Sequence, residues 1–396
     1  MKIGLDGNEA NIENRVGSGK YARELIKQFA NLANYSSSER SESRSFAKKS
    51  SRPALPAGRR ARTIANLVVY LKQKPLADLP KESKNFKYKV FGPGFLWTQF
   101  ALPVHLTFGR RPDIFFSMSH YGPRFSPVPY VITIFDLSYL HYPGLFKKED
   151  LHKLTNWTKY SIKGAKHILA ISESTKDDIV KNYDVDPTKI TVTYIGYDQK
   201  LFKPQSKERI ERVKRTYKIK GDYVIFVGTL QPRKNIERLI EAFAQLVRQL
   251  QLVIVGKKGW MYDSFFIKVK DLDIKERVIF TDYVPDNDLP ALISGAKTYV
   301  LPSLWEGFGI PIVEAQACGV PVVVSNVSSL PEIVAESGIL VNPNDVNSIV
   351  HGIKKSRDEK TRTDLVEKGF ENIKRFSWEK CAEETLEVLE KVATKA

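Results

Sequence analysis

The sequence holds only two cysteines, Cys318 and Cys381, in 396 residues. That excludes a disulfide framework, and without a CxxC pair or a Cys/His cluster it offers no zinc site; a reducing compartment is the natural setting. Nowhere do about 18 apolar residues run without a break, so no membrane-spanning helix is predicted. The start, Met1-Lys2-Ile3-Gly4-Leu5-Asp6, has the pattern of a strand entering a loop and lacks the apolar core of a secretion signal. These absences predict a cytoplasmic protein. Acidic residues are also in short supply, leaving a net charge of +17. The deficit lies in the first half: residues 1–200 carry 32 lysines and arginines against 18 acids, and the remainder 30 against 27. A lipid headgroup, a phosphorylated acceptor or a nucleic acid would suit such a half, and a solvated basic surface without a specific partner accounts for it equally well.

What is present reads as a soluble α/β chain, with 42% hydrophobic and 27% charged residues and a length that suits two domains. Two strand–loop–helix units begin the two halves. Lys2–Asp6 leads through Gly17-Ser18-Gly19 into a helix with Tyr21, Leu25, Ile26, Phe29 and Leu32 on one face. Tyr223–Val227 leads through Gly228 into Ile236, Leu239, Ile240 and Phe243 at the same spacing. Apolar runs followed by 3.6-residue periodicity predict parallel sheets with crossover helices, here two doubly wound Rossmann-like domains. Further strands are predicted at Ala65–Leu71, Ile114–Ser117, Val131–Phe135, His167–Ile171 and Thr191–Ile195. In the second half they fall at Leu252–Val255, Val278–Thr281, Thr298–Leu301, Val320–Ser325 and Gly338–Val341. The boundary is placed at Asp198–Pro204, giving domains over 1–198 and 199–376. A final amphipathic helix capped by Ser377 is free to pack back on the first domain. Residues 36–62, rich in Ser and Arg and lacking periodicity, read as a flexible basic insertion.

The most specific segment runs from Tyr299 through Glu306-Gly307-Phe308-Gly309-Ile310-Pro311 to Glu314 and Gly319-Val-Pro. It reads as strand, glycine loop, helix, turn and strand. Pro311 suits the first helical position, and the glycines let backbone approach a ligand. Amides at the helix start would seat a diphosphate. Glu314, placed in the first turn, can accept hydrogen bonds from two vicinal hydroxyls. A carboxylate favouring the helix dipole would explain Glu314 alone, but not Glu306 ahead of a Gly-Phe-Gly loop.

This segment resembles the family 4 glycosyltransferases, retaining enzymes of GT-B fold, whose signature is two glutamates separated by seven residues; Glu306 and Glu314 match it. The resemblance implies that Glu306 contacts the donor sugar and Glu314 the ribose. After the strand Tyr223–Val227 comes Gly228-Thr-Leu-Gln-Pro-Arg233-Lys234-Asn235; the family has an arginine directly after the glycine that stands here as Gly228, and a lysine six positions after it. Here Lys234 matches the lysine, Thr229 stands in the arginine's place, and Arg233 is assigned to replace it. Fixed cations at the C-terminal end of a strand lower the barrier to diphosphate departure. The resemblance makes Gly17, Ser18 and Gly19 the loop over the diphosphate and acceptor pocket, and places the base pocket at Tyr283-Val284. The family's histidine before Asp136 is Phe135 here. A phenyl ring cannot hydrogen-bond a sugar, so His120 is the candidate substitute, with Asp136 orienting the acceptor. Ser172 is a further acceptor-side candidate, with Ser174 as the expected helix cap. His105, His141, His152, His167 and His351 read as structural.

Asp184/Asp186, Asp271/Asp273 and Asp286/Asp288 have the spacing of a metal-binding pair, but none follows a buried strand directly. Asp286 reads as a cap for the helix near Leu289. No cofactor and no metal are expected. The resulting expectation is a hexosyltransferase taking a nucleotide diphosphate sugar, with likeness to the mannosyltransferase branch favouring GDP-mannose. The acceptor would be a glycan or lipid-linked glycan, reached through peripheral contact of the basic first half with anionic membrane. A sugar-nucleotide epimerase or phosphorylase of the same architecture, and a nucleic-acid-binding protein, are the alternatives. The first two would not be expected to carry the Glu306–Glu314 loop, and no reader motif accompanies the charge.

Overall fold

A computed structural model describes residues 1–34 and 66–395; the basic insertion expected at 36–62 lies outside the described residues. Among the described residues thirteen strands form two sheets, and every pairing among these named strands is parallel. The first contains β1 (Lys2–Asp6), β2 (Asn66–Leu71), β3 (Phe86–Val90), β4 (Ile114–Ser117), β5 (Tyr130–Ile134), β6 (His167–Ala170) and β7 (Ile190–Val192), in the order β3-β2-β1-β4-β5-β6-β7. The second contains β8 (Tyr223–Val227), β9 (Gln251–Val255), β10 (Val278–Asp282), β11 (Thr298–Leu301), β12 (Val322–Ser325) and β13 (Gly338–Val341), in the order β10-β9-β8-β11-β12-β13.

Parallel sheets need cover on both faces, so their central strands are largely apolar and buried throughout. Every residue of β4, β5, β6, β8, β11 and β12 is buried. The strand the periodicity does not reveal is β3. It forms one edge of its sheet and buries only Phe86, with Lys87 and Lys89 exposed, so it lacks an apolar run.

Strand order reverses between β1 and β4 in the first sheet and between β8 and β11 in the second. The crevice beyond the carboxyl ends of strands at such a reversal is where doubly wound sheets bind ligands. The loops that leave β8 and β11 are Gly228–Asn235 and Pro302–Gly309, the two segments singled out in the second half of the sequence.

The last helix, Trp378–Lys395, belongs spatially to the first domain. It packs on the helix Gly17–Asn34 and on β4 and β6, with Trp378 beside Tyr21 at a ring separation of 6.1 Å. Its inner face buries Cys381, Ala382 and Leu389 completely. The chain therefore crosses between the sheets twice, after β7 and again before Trp378. Among the described residues no helix is long and apolar enough to cross a membrane.

Candidate active site

The loop after β8 tightens into a single turn, Pro232–Lys234, that ends at Asn235 in the left-handed region, φ +56°. The Asn235 side-chain amide donates to Pro302 O at 2.9 Å and to Pro343 O at 2.7 Å, tying this loop to the one after β11. Leu304 N donates to Arg233 O at 2.9 Å. The two switch-point loops are thus one unit, and they bring Arg233, Lys234 and Glu306 together.

Glu306 is buried. Its Oε1 accepts from Lys234 Nζ at 2.6 Å and from Ser303 Oγ at 2.6 Å, and its Oε2 lies 3.4 Å from Arg233 Nη1. Arg233 also donates to Trp305 O. Burial opposes ionisation of Glu306, but Lys234 and Arg233 outweigh it and hold the carboxyl below its ordinary range. Burial, helped by the neighbouring Arg233, draws Lys234 downward against the pull of Glu306. Two cations share one carboxylate here, leaving the cluster one positive charge in excess beside the cleft.

Across the cleft stands the end of β5. Gly307 packs so closely on it that a Cβ would lie 1.9 Å from Phe135 O and 3.1 Å from Asp136 Cβ. Any larger residue would drive the two domains apart. Asp136 Oδ1 accepts from Ser138 N at 2.9 Å and Ser138 Oγ at 2.5 Å. Burial works against its charge, but Arg233 of the other domain and the Ser138 bonds keep it ionised below its usual range.

His120 lies beneath Phe135, its ring nearly parallel at 19° and 5.7 Å away. Its Nε2 accepts from Phe135 N at 3.0 Å, which places the ring proton on Nδ1, a buried atom without a hydrogen-bond partner among the described residues. Burial lowers its pKa, with Asp136 opposing, so the ring is neutral.

Glu314 sits in the second turn of the helix Ile310–Ala317, not in its first turn as the sequence suggested, because the helix starts at Ile310 after a left-handed Gly309, φ +90°. Pro311 accordingly takes the second helical position. Burial raises Glu314 to about 7; Lys20 counters this, while Asp286 and Asp198 add to it. Lys20, the first-domain cation that acts on Glu314, follows Gly17, Ser18 and Gly19, which form the first turn of the helix Gly17–Asn34 and not a turn ahead of it as the sequence suggested. Burial, then the charges of Glu306 and Glu314, raise the pKa of the Tyr299 hydroxyl, which lies 3.3 Å from Val227 O.

Other candidates fall differently. Ser18 Oγ donates to Glu9 at 2.9 Å. Phe308 is buried between Tyr194 and Phe376, so its side chain anchors the loop and cannot line a pocket. Ser172, not Ser174, caps the helix Glu173–Tyr183: its Oγ accepts from Thr175 N at 3.1 Å, and its complete burial removes it from acceptor contact. Asp286 is no cap; Asp288 holds that position, without a side-chain bond. Tyr283 is exposed with Lys257 Nζ 4.7 Å above its ring, whereas Val284 is buried. Gly228 lies under the Lys234 stem, with 3.8 Å from its Cβ position to Lys234 Cε. Among the described residues no three His, Cys, Asp or Glu side chains converge as a metal site would require.

The sequence did not reveal three contacts between the domains. His141, read as structural, stacks on Trp305 at 3.7 Å, and its Nε2 lies 3.0 Å from both oxygens of Asp178. Trp260 Nε1 donates to Leu145 O at 2.8 Å. Glu332 accepts from Glu173 N at 2.7 Å, Ser174 N at 3.2 Å and Tyr194 Oη at 2.8 Å. Only the position of Trp305, directly before Glu306, hinted at any of these.

Comparison with known proteins agrees with this architecture. Residues 207–372 match the family described as "Glycosyl transferases group 1", and residues 59–201 match "Glycosyltransferase Family 4". The chain is 33% identical over 278 residues to O-antigen chain mannosyltransferase B of Escherichia coli, covering 67% of this chain and 72% of that protein. It is 34% identical over 223 residues to O-antigen chain mannosyltransferase RfbU of Salmonella typhimurium, covering 56% of this chain and 59% of that one, less than two thirds of its length. Among solved structures, sucrose-phosphate synthase from Thermosynechococcus elongatus superposes with a TM-score of 0.73 at 19% identity, covering 100% of both chains. HepE from Anabaena, in complex with UDP and glucose, gives 0.72 at 18%, covering 99% of this chain and 100% of that one. At such identities the likeness is one of fold.

Proposed function

Because this chain belongs to glycosyltransferase family 4 and is a glycosyltransferase of GT-B fold, we propose that it transfers mannose from GDP-mannose, with retention of configuration, to a hydroxyl of a glycan or lipid-linked glycan on the cytoplasmic face of a membrane. The observation that carries this reading is the seating of Gly307 against Phe135 O. It sets a cationic pair and two acids of one domain opposite an ionised aspartate of the other.

In this reading residues 199–376 hold the donor and residues 1–198 the acceptor. The diphosphate lies along the amides from Gly309 to Val313 and against Arg233 and Lys234. Charge that develops on it during departure is met by cations already in place, at no cost of reorganisation. Glu306 accepts from a hydroxyl of the sugar while keeping Lys234 aimed. Glu314 accepts from the ribose hydroxyls, and the base stacks near Tyr283. Asp136 orients the acceptor, His120 stands behind Phe135, and Gly17, Ser18 and Gly19, at the start of the first helix, cover the diphosphate. The acceptor oxygen attacks on the face the diphosphate leaves, the C–O bond to phosphate breaks, and the departing phosphate oxygen takes the acceptor proton. Burial of the cleft excludes water that would hydrolyse the donor. These cations and the helix start carry the electrostatic work, with no cofactor and no metal in the scheme.

The test is a product assay with GDP-mannose and a panel of mannose-terminated acceptors, read by NMR. The expected result is nucleotide release only with acceptor and an axial anomeric linkage matching the donor. Release without acceptor, an inverted linkage, or epimerised donor would each overturn the reading.

A further inference from the structure

A helix lying on a sheet normally buries one stripe and presents a polar one. The helix Ala101–Phe108 does not. Leu102, Pro103 and Leu106 are buried, and Leu102 and Leu106 join a cluster with Tyr70, Trp97 and Phe115. Its outward side is apolar as well. Phe100, Val104 and Phe108, spaced four residues apart and so on one face, are 62%, 57% and 86% exposed. Phe95, in the loop leading in, is 81% exposed. Single exposed apolar residues are ordinary; four in one short stretch mark an interaction surface.

Cations rim this strip. Exposed Arg110 and Arg111 follow the helix after its C-cap Gly109, and Arg111 Nη2 donates to Thr107 O at 2.8 Å, closing its C-terminus. Lys2 Nζ donates to Arg110 O at 2.8 Å. Lys89, exposed on the edge strand β3, presses on Lys2: after burial, Lys89 and Arg110 are what lower the Lys2 pKa, with Asp113 the one opposing acid. Lys72 lies beside Gly94 at the head of the aromatic loop, 3.9 Å from that residue's Cβ position.

We propose that this strip is a docking face for an anionic lipid bilayer. Phe95, Phe100, Val104 and Phe108 enter the headgroup–acyl boundary, and Lys2, Lys72, Lys89, Arg110 and Arg111 meet lipid phosphates. A bilayer supplies both layers the strip requires, an apolar one and an anionic one. A second copy of this chain, meeting the strip through a two-fold axis, would bring the same cations toward one another. The inference deepens the proposed transfer to a lipid-linked acceptor, on which its purpose rests; its physics does not depend on the sugar or the acceptor.

The full chain is co-sedimented with phosphatidylcholine vesicles, with and without phosphatidylglycerol. Binding is expected only with phosphatidylglycerol. Phe100→Ser/Phe108→Ser should lose it at least about ten-fold at unchanged melting temperature, since each buried apolar group adds to interfacial affinity. Lys89→Glu/Arg110→Glu should lose binding and its salt dependence. Wild-type protein that stays in the supernatant at low salt overturns the proposal, as does a phenylalanine variant that still binds. A dimer that the phenylalanine variant splits, with vesicle binding unaltered, overturns it in favour of self-association. Vesicle binding that behaves as expected in a protein that transfers no sugar would leave this inference standing and remove the proposed function.

Discussion

Lys234 Nζ lies 2.6 Å from Glu306 Oε1, and the two residues come from loops 72 positions apart in the chain. Their side chains are only 15% and 7% exposed, so the pair is a structural joint as well as a candidate catalytic element. Removing Lys234 leaves Glu306 with the longer Arg233 contact at 3.4 Å. Lys234→Ala is therefore expected to destabilise the protein by less than the about 3–5 kcal/mol that follows when a buried pair is broken outright. It should also lower kcat about 10²–10³-fold, as losing a donor to a developing oxyanion does. Lys234→Met/Glu306→Gln should recover most of the stability and none of the activity. Denaturant melts and steady-state kinetics on the three proteins check this, and recovery of activity in the double variant would contradict it.

Gly307→Ala forces a methyl into Phe135 O, 1.9 Å away. The second domain keeps its core, so the expected outcome is a folded protein with an opened cleft. Small-angle scattering should report a larger radius, and kcat/KM should fall about 10²-fold, in line with the loss expected when reacting groups are misplaced by an ångström. Normal turnover in a protein of unchanged radius would show that this contact is dispensable.

Glu332 also joins the two domains, accepting two amides of the Glu173–Tyr183 helix start and the Tyr194 hydroxyl. Hydrogen bonds to a charged group contribute about 1.5–3 kcal/mol each at most. Glu332→Ala is therefore expected to lower the melting temperature by several degrees, and Tyr194→Phe by less. Hydrogen exchange should quicken at Glu173 and Ser174. If exchange there is unaltered, the carboxylate is not holding the helix start.

Glu314 links stability and donor binding to pH in opposite senses. Its folded pKa, about 7, lies above the ordinary value of 4.5. Between those values the folded protein holds a proton that the unfolded chain has released, so stability falls as pH rises through that window and levels off above about 7. Asp6, pushed up to about 6 chiefly by burial, adds to the same trend. Glu314→Gln should leave the melting temperature unchanged at pH 5 and raise it at pH 8, by up to about 3 kcal/mol of stability. Donor affinity should move the other way, tightening in wild type as the carboxylate ionises, and should become independent of pH in the variant. Calorimetry at the two pH values separates the outcomes; a variant with wild-type affinity at pH 8 would remove Glu314 from the donor site.

The sequence announced the fold through runs such as Tyr223–Val227 and Val322–Ser325, because a parallel sheet buried on both faces leaves continuous apolar segments. The edge strand Phe86–Val90 escaped because half of it faces solvent. Within the site, Lys234, Glu306 and Glu314 stood out because glycine-flanked acids and cations after buried strands have few structural uses. Their pairing did not, since nothing local says that Glu306 neutralises Lys234 rather than facing it across a ligand. Capping was misplaced twice, at Ser174 for Ser172 and at Asp286 for Asp288, because both stretches offer two capping residues within three positions. His141 on Trp305 and Glu332 on the Glu173–Tyr183 helix were out of reach: each joins residues more than 130 positions apart, and the contact exists only once two domains have closed.

The return of the Trp378–Lys395 helix to the first sheet has a consequence for biosynthesis. Ribosomes deliver the strands of that sheet first, yet part of its outer layer emerges only after the whole second sheet. Until then, Ile26-side neighbours such as Tyr21 and the faces of β4 and β6 that this helix covers are left wet. The N-terminal half must wait, partly unclad, while the C-terminal half is translated. Nascent chains halted before residue 378 should engage chaperones that the finished protein escapes.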